Sequence, residues 1–213
     1  MAYRPNPLIA QLAGELEPVR PLRMRHGLAV VAVAIVLTIA AVALWQGLWS
    51  GPAKGHAAAI FFVANGLIAL VGLASARTVV RMAAPRVGVR QDGARWLLAA
   101  LAILPVTALL SAALKGAVGS YGHAADGLTC FIAGTASGVG VAAALIFWLR
   151  RGAPVAPNVA GFYTGVAAGA LGSFAHGLSC PFDTIGHLGI WHVAPVAASA
   201  ALGRLAVPVL IRW

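Results

Sequence analysis

Two cysteines stand fifty residues apart in nearly identical settings, "ADGLTC" at 125–130 and "AHGLSC" at 175–180. The second continues into "PFDTIGHLGIWH", so His176, Cys180, Asp183, His187 and His192 fall within one short stretch. Thiolates with imidazoles select soft or borderline ions such as Cu(I) and Zn(II), and a carboxylate can complete a shell. Cys130, Cys180 and His176 are the expected metal set, with Asp183, His187 and His192 as further sensing residues. No obligatory cofactor follows, only a transient Cu, Zn or other soft heavy-metal ion. The same thiols could instead form a structural disulfide, respond to an oxidant, or pack inertly as small hydrophobes. The chain has no CxxC and no HExxH, so neither a thioredoxin-type redox site nor a zinc protease is indicated.

The elements that position these residues must be membrane helices. Of the 213 residues, 61% are hydrophobic and 9% charged, and the mean hydropathy is +0.89. A soluble domain of this length needs far more charge to cover its surface. Apolar segments of spanning length lie at roughly 27–49, 57–76, 95–114, 128–149, 157–178 and 188–210. The expected fold is an all-α integral membrane protein, a six-transmembrane-helix bundle. Residues 1–26 form a cytoplasmic segment and 27–213 the membrane domain. The net charge of +10 does not indicate nucleic acid, because the basic residues flank the spans. Arg4, Arg20, Arg23 and Arg25 precede the first span, and Arg77, Arg81, Arg86, Arg90 and Arg95 follow the second. Arg150, Arg151, Arg204 and Arg212 fall on the same side, and only Lys54 and Lys115 oppose them. The positive-inside rule therefore puts both termini in the cytoplasm. The first apolar run is longer than a signal-peptide core and is expected to stay.

Small residues recur every fourth position in the fourth and fifth spans. Gly134, Gly138 and Ala142 form one stripe, and Gly161, Gly165, Gly169 and Ser173 the other. Such stripes let helices approach closely, which suggests that these two spans pair antiparallel; abundant Gly and Ala would also produce some stripes by chance. Read as helices, the two stripes extend to Cys130 and Cys180. At 1.5 Å per residue both lie roughly 30–35 Å from the Arg150–Arg151 loop, at the outer boundary. His176, four residues before Cys180, then shares its face.

Acidic residues are few: Glu15, Glu17, Asp92, Asp126 and Asp183. None falls mid-span, where pumps and ion-coupled carriers keep ionisable groups. An enzyme is not expected. At the N-terminus Pro7 can open a short helix and Pro18 close it. Leu8, Leu12 and Leu16 form one apolar stripe, with Ile9 beside it. A stripe with no core to cover docks in a partner's groove or lies on the inner leaflet, the latter helped by Arg20, Arg23 and Arg25.

Taken together, "LIAQLAGELEPVRPL", six spans, two outer cysteines, "SCPFDTIGHLGIWH" and the terminal "LIRW" resemble the NrsF-like family. Its members are bacterial inner-membrane anti-sigma factors for extracytoplasmic-function sigma factors. The resemblance covers essentially the whole chain. It implies that the N-terminal segment, with Leu8, Ile9, Leu12, Leu16, Pro18, Val19 and Arg20, holds the sigma factor inactive. It also implies that Cys130 and Cys180 read heavy-metal or oxidant stress and release it. The partners expected are thus a sigma factor and the lipid bilayer, with a second copy of the chain as a further candidate and no direct nucleic-acid contact. Two positions depart from the family pattern: Ser179 stands where His often precedes the second cysteine, and His192 where Tyr often follows Trp. The alternative class is a metal-handling permease or accessory protein that binds cargo at the same cluster.

Overall fold

A computed structural model describes residues 6–15, 22–85, 92–115 and 124–212. Its elements are α1 (Pro7–Gly14), α2 (Met24–Gln46), α3 (Ala59–Met82), α4 (Asp92–Leu101), α5 (Ile103–Lys115), α6 (Ala124–Ser137), α7 (Val139–Leu149), α8 (Pro157–Gly177), α9 (Ile185–His187) and α10 (Ala194–Leu210). A π-helical turn, Leu188–His192, joins α9 to α10. There is no strand among the described residues.

Among the described residues, five helical stretches are long and apolar enough to cross a membrane: Met24–Gln46, Ala59–Met82, Ala94–Leu114, Ala125–Arg150 and Ile185–Leu210. They match five of the six expected spans. Two of the five are broken for local reasons. Pro105 has no N–H to offer the Leu101 carbonyl, and the chain turns at Ala102 between α4 and α5. Gly138, between α6 and α7, lies so close to α8 that a Cβ there would overlap the Ala168 carbonyl oxygen. The outer faces carry exposed Val33, Leu37, Trp45, Phe62 and Leu109, an apolar belt that water would not tolerate and lipid does.

The sixth expected span coincides with α8, which is not among the five. Its 21 residues extend about 31 Å, but Gly, Ala, Ser and Thr dilute its hydropathy. The cause is its position. From Thr164 through Ser173 every residue of α8 is buried. A helix enclosed by protein needs close approach to its neighbours rather than bulky groups for lipid.

The fourth span and α8 do pack together, antiparallel, as the spacing suggested, but the first three glycines of the α8 stripe face elsewhere. A Cβ on Gly161, Gly165 or Gly169 would press on the backbone of Gly203, Ser199 and Pro195 respectively, so the stripe packs on α10, antiparallel. The fourth span takes the adjoining face instead, where Gly172 lies against Gly134 and Gly138. Both contacts are small-on-small, and periodicity alone does not say which partner a stripe meets.

The bundle has two chemically distinct ends. At one, Trp148 Nε1 donates to the Val80 carbonyl at 3.1 Å, and Ala153 N–H to the Ala83 carbonyl at 2.8 Å. The helix ends carrying Arg25, Arg81, Arg150 and Arg151 meet there around a core of Val79, Leu145, Leu149 and Tyr163. At the other, Trp49 N–H donates to the Leu178 carbonyl at 2.9 Å. There a second core of Phe61, Ile68, Leu104, Leu188 and Val196 leads up to the cysteines.

Candidate functional site

Cys130 lies on α6, and its place is set one turn earlier. A Cβ on Gly127 would overlap the Trp191 indole, so the ring lies directly on the α6 backbone and seats the π turn beside Cys130. Cys180 is not on a helix. α8 ends at Gly177, and the segment through Thr184 is irregular, so the expected helical face shared by Ser173, His176 and Cys180 is not formed. Pro181 follows Cys180 and cannot continue a helix. Thr184 restarts the helix by accepting the His187 N–H on its hydroxyl at 3.3 Å.

The π turn then does what an α-helix would not. Residues five apart on an α-helix point about 140° apart, whereas the wider i→i+5 turn carries the fifth residue back over the first. His187 and His192 thus come together, with ring centroids 5.5 Å apart. Pro195 just beyond tolerates the turn because it lacks the N–H that an α-helix would need there. Ser173 Oγ donates to the His192 carbonyl at 2.7 Å and ties the turn to α8.

One ligand atom from each of Cys130, Cys180, His187 and His192 lies within 4.8 Å of every other. The sulfurs are free thiols 3.7 Å apart, and Cys180 Sγ is 3.5 Å from His187 Nε2. A tetrahedral ion with bonds of about 2.3 Å to sulfur and 2.0–2.1 Å to nitrogen would hold S···S at about 3.8 Å and S···N at about 3.6 Å. The S···S distance and the Cys180–His187 distance fit that shell. All four residues are buried, the histidines to 1% exposure. His187 Nδ1 and both His192 ring nitrogens have no hydrogen-bond partner among the described residues, and leaving such an atom dry costs roughly 1–3 kcal/mol. An ion accepting an imidazole lone pair would remove part of that cost. Cys130 Sγ beside Cys180 holds the Cys180 thiol below its ordinary pKa; burial opposes this, and a backbone hydrogen bond at Phe182 adds to the lowering.

His176 stands outside this set. Its Nδ1 is 2.7 Å from Gln46 Oε1, and its ring stacks on His192 at 5.8 Å and 18°. Asp183 faces away, accepting the Ala58 N–H at 2.7 Å where α3 begins. The geometry therefore gathers both cysteines with His187 and His192, and leaves His176 and Asp183 as neighbours. A five-residue spacing before an X-Pro step was the available signal for the π turn.

At the chain's start, Asn6 caps α1 by accepting the Leu8 N–H at 3.0 Å, and Pro7 opens the helix. The helix stops at Gly14, before Pro18. Leu8, Ile9 and Leu12 are 55–60% exposed, so the apolar stripe is uncovered. Leu16, Pro18, Val19 and Arg20 lie outside the described residues.

Residues 12–213 match the family model described as NrsF, negative regulator of sigma F. Over 71 residues the chain is 38% identical to the anti-sigma-F factor NrsF of Caulobacter vibrioides, covering 33% of each chain. Over 75 residues it is 33% identical to the probable anti-sigma-F factor NrsF of Azospira oryzae, covering 35% of each. The matched stretch thus spans about a third of the length of these curated relatives. No solved structure matches the chain.

Proposed function

The chain belongs to the family of negative regulators of sigma F, and from that premise we propose a six-span anti-sigma factor of the bacterial inner membrane. Its N-terminal segment holds an extracytoplasmic-function sigma factor, and its Cys/His cluster, on the periplasmic side, governs release. Support for the sidedness comes from charge: the end carrying Arg25, Arg81, Arg150 and Arg151 belongs in the cytoplasm by the positive-inside rule. α8 counts as the sixth crossing, since it runs from the arginine end to the cysteine end enclosed by its neighbours. Both termini then share the cytoplasmic side, where Leu8, Ile9 and Leu12 offer an amphipathic docking face.

The observation that carries the sensing role is the buried set Cys130, Cys180, His187 and His192, with ligand atoms all within 4.8 Å of one another. When bound, a soft ion supplies positive charge that fixes both thiolates. Cys130 and Cys180 would supply the sulfur ligands from α6 and the irregular loop, and His187 at the end of α9 and His192 at the end of the π turn the imidazoles. Bridging these elements shifts the balance between two packings of the helices, and only a ligand with unequal affinity for the two can do so. An oxidant acts on the same pair by converting both thiols to a disulfide, taking two electrons and releasing two protons.

Deleting residues 1–26 tests the regulator against the permease. The regulator predicts that the truncated protein still inserts in the membrane but no longer retains the sigma factor. The permease predicts that metal flux into proteoliposomes survives the deletion. Flux at the wild-type level with sigma retention unchanged would overturn the proposal.

A further inference from the structure

We propose that Gln46 transmits the state of the cluster to the first span, acting as a positioning residue between His176 and α2; the inference rests on the cluster being the sensor. The residue ligates nothing. It closes α2 at the cysteine end of the bundle, and its Oε1 meets His176 Nδ1 at 2.7 Å. The His176 ring in turn lies nearly parallel on His192, one of the four clustered residues. A turn or shift of His192 toward the sulfurs changes the face on which the His176 ring stacks, and that ring is bonded to the end of α2.

Three further features make α2 the element free to respond. Its core contacts are sparse, with Gly27, Val31, Thr38 and Val42 its only buried residues. An open groove of about 730 Å³ runs along its middle beside the α6–α7 break, lined by Leu37, Thr38, Ser137 and Gly140. Its opposite end is pinned, since a Cβ on Gly27 would meet Trp148 and Val80 at 2.6 Å. A helix pinned at Gly27, loose along its length and tied at Gln46 pivots when the tie moves. The Trp49 N–H bond to Leu178, at 2.9 Å, keeps the following turn on the loop that carries Cys180. α2 is also the span that follows the N-terminal segment directly, so its tilt is felt there first.

The experiment uses the full chain in lipid nanodiscs with Co(II) and Cd(II) as probes. Co(II) binding is read from thiolate-to-metal charge-transfer absorption. Amide hydrogen exchange over residues 22–50 is compared with and without Cd(II), for wild type, Gln46→Leu and Gln46→Glu. Leu keeps the volume and removes the hydrogen bond, while Glu restores an acceptor oxygen. The expected result has all three proteins binding Co(II) with affinities within about threefold. Cd(II) changes exchange at both ends of α2 several-fold in wild type and Gln46→Glu, and leaves Gln46→Leu unchanged. A wild-type response in Gln46→Leu overturns the inference alone, as does Co(II) binding to wild type with no change in α2. Failure of wild type to bind Co(II) or Cd(II) overturns the sensing reading, and this inference with it.

Discussion

The chemistry of the site turns on one thiol pair. Cys180 is held toward its thiolate chiefly by Cys130, 3.7 Å away, against the opposing effect of burial. A lowered pKa means thiolate persists to lower pH than for an ordinary cysteine, so an incoming soft ion competes with fewer protons near neutrality. Cys130→Ala removes the largest lowering cause and leaves the burial. The Cys180 titration, followed by thiolate absorbance in the ultraviolet, should then move to higher pH than the first thiol titration of the wild type. An unchanged midpoint would show that the two sulfurs do not sense each other. The pairing of the cysteines was readable from the repeated Gly-Leu-Ser/Thr-Cys setting and from counting along the spans. The identity of the imidazoles was not. His176 looked best placed because four residues separate it from Cys180, but the helix that would make that spacing meaningful stops at Gly177. His187 and His192 have the wrong spacing for an α-helix, and only the π turn makes them neighbours.

Among the elements, α8 holds the others in place, and its small residues are the reason. Gly165→Ala would set a methyl against the Ser199 carbonyl oxygen and force α8 and α10 apart, at a cost of about 1–3 kcal/mol. Gly66, on α3, has nothing within 4 Å of an added Cβ. Gly66→Ala should be neutral or stabilising by up to about 1 kcal/mol, since it removes backbone freedom from the unfolded chain. Reversible unfolding of the two variants in mixed micelles checks the contrast, and equal stabilities would contradict the packing. All six spans are readable from apolar length; five are helices long and apolar enough to cross a membrane, and the sixth coincides with the buried α8. What composition could not supply was the partner of each glycine face. Four-residue spacing records that a close contact exists, and not which helix supplies the other side of it.

At the scale of the molecule, the two ends differ in chemistry: Arg25, Arg81, Arg150 and Arg151 gather at one, and Cys130, Cys180, His187 and His192 at the other. Composition made the membrane class legible, and the family match over residues 12–213 is what motivates the proposed sigma-factor partner. The direction of control is the central claim, and one assay reaches it. Full-length protein in proteoliposomes is loaded with its cognate sigma factor, and co-sedimentation is measured as Cd(II) is raised, for wild type and for the Cys130→Ser, Cys180→Ser double variant. The account predicts that Cd(II) frees most of the sigma factor from wild type while the double variant retains it throughout. Equal release from the double variant, or full retention by wild type with Cd(II) bound, would contradict it.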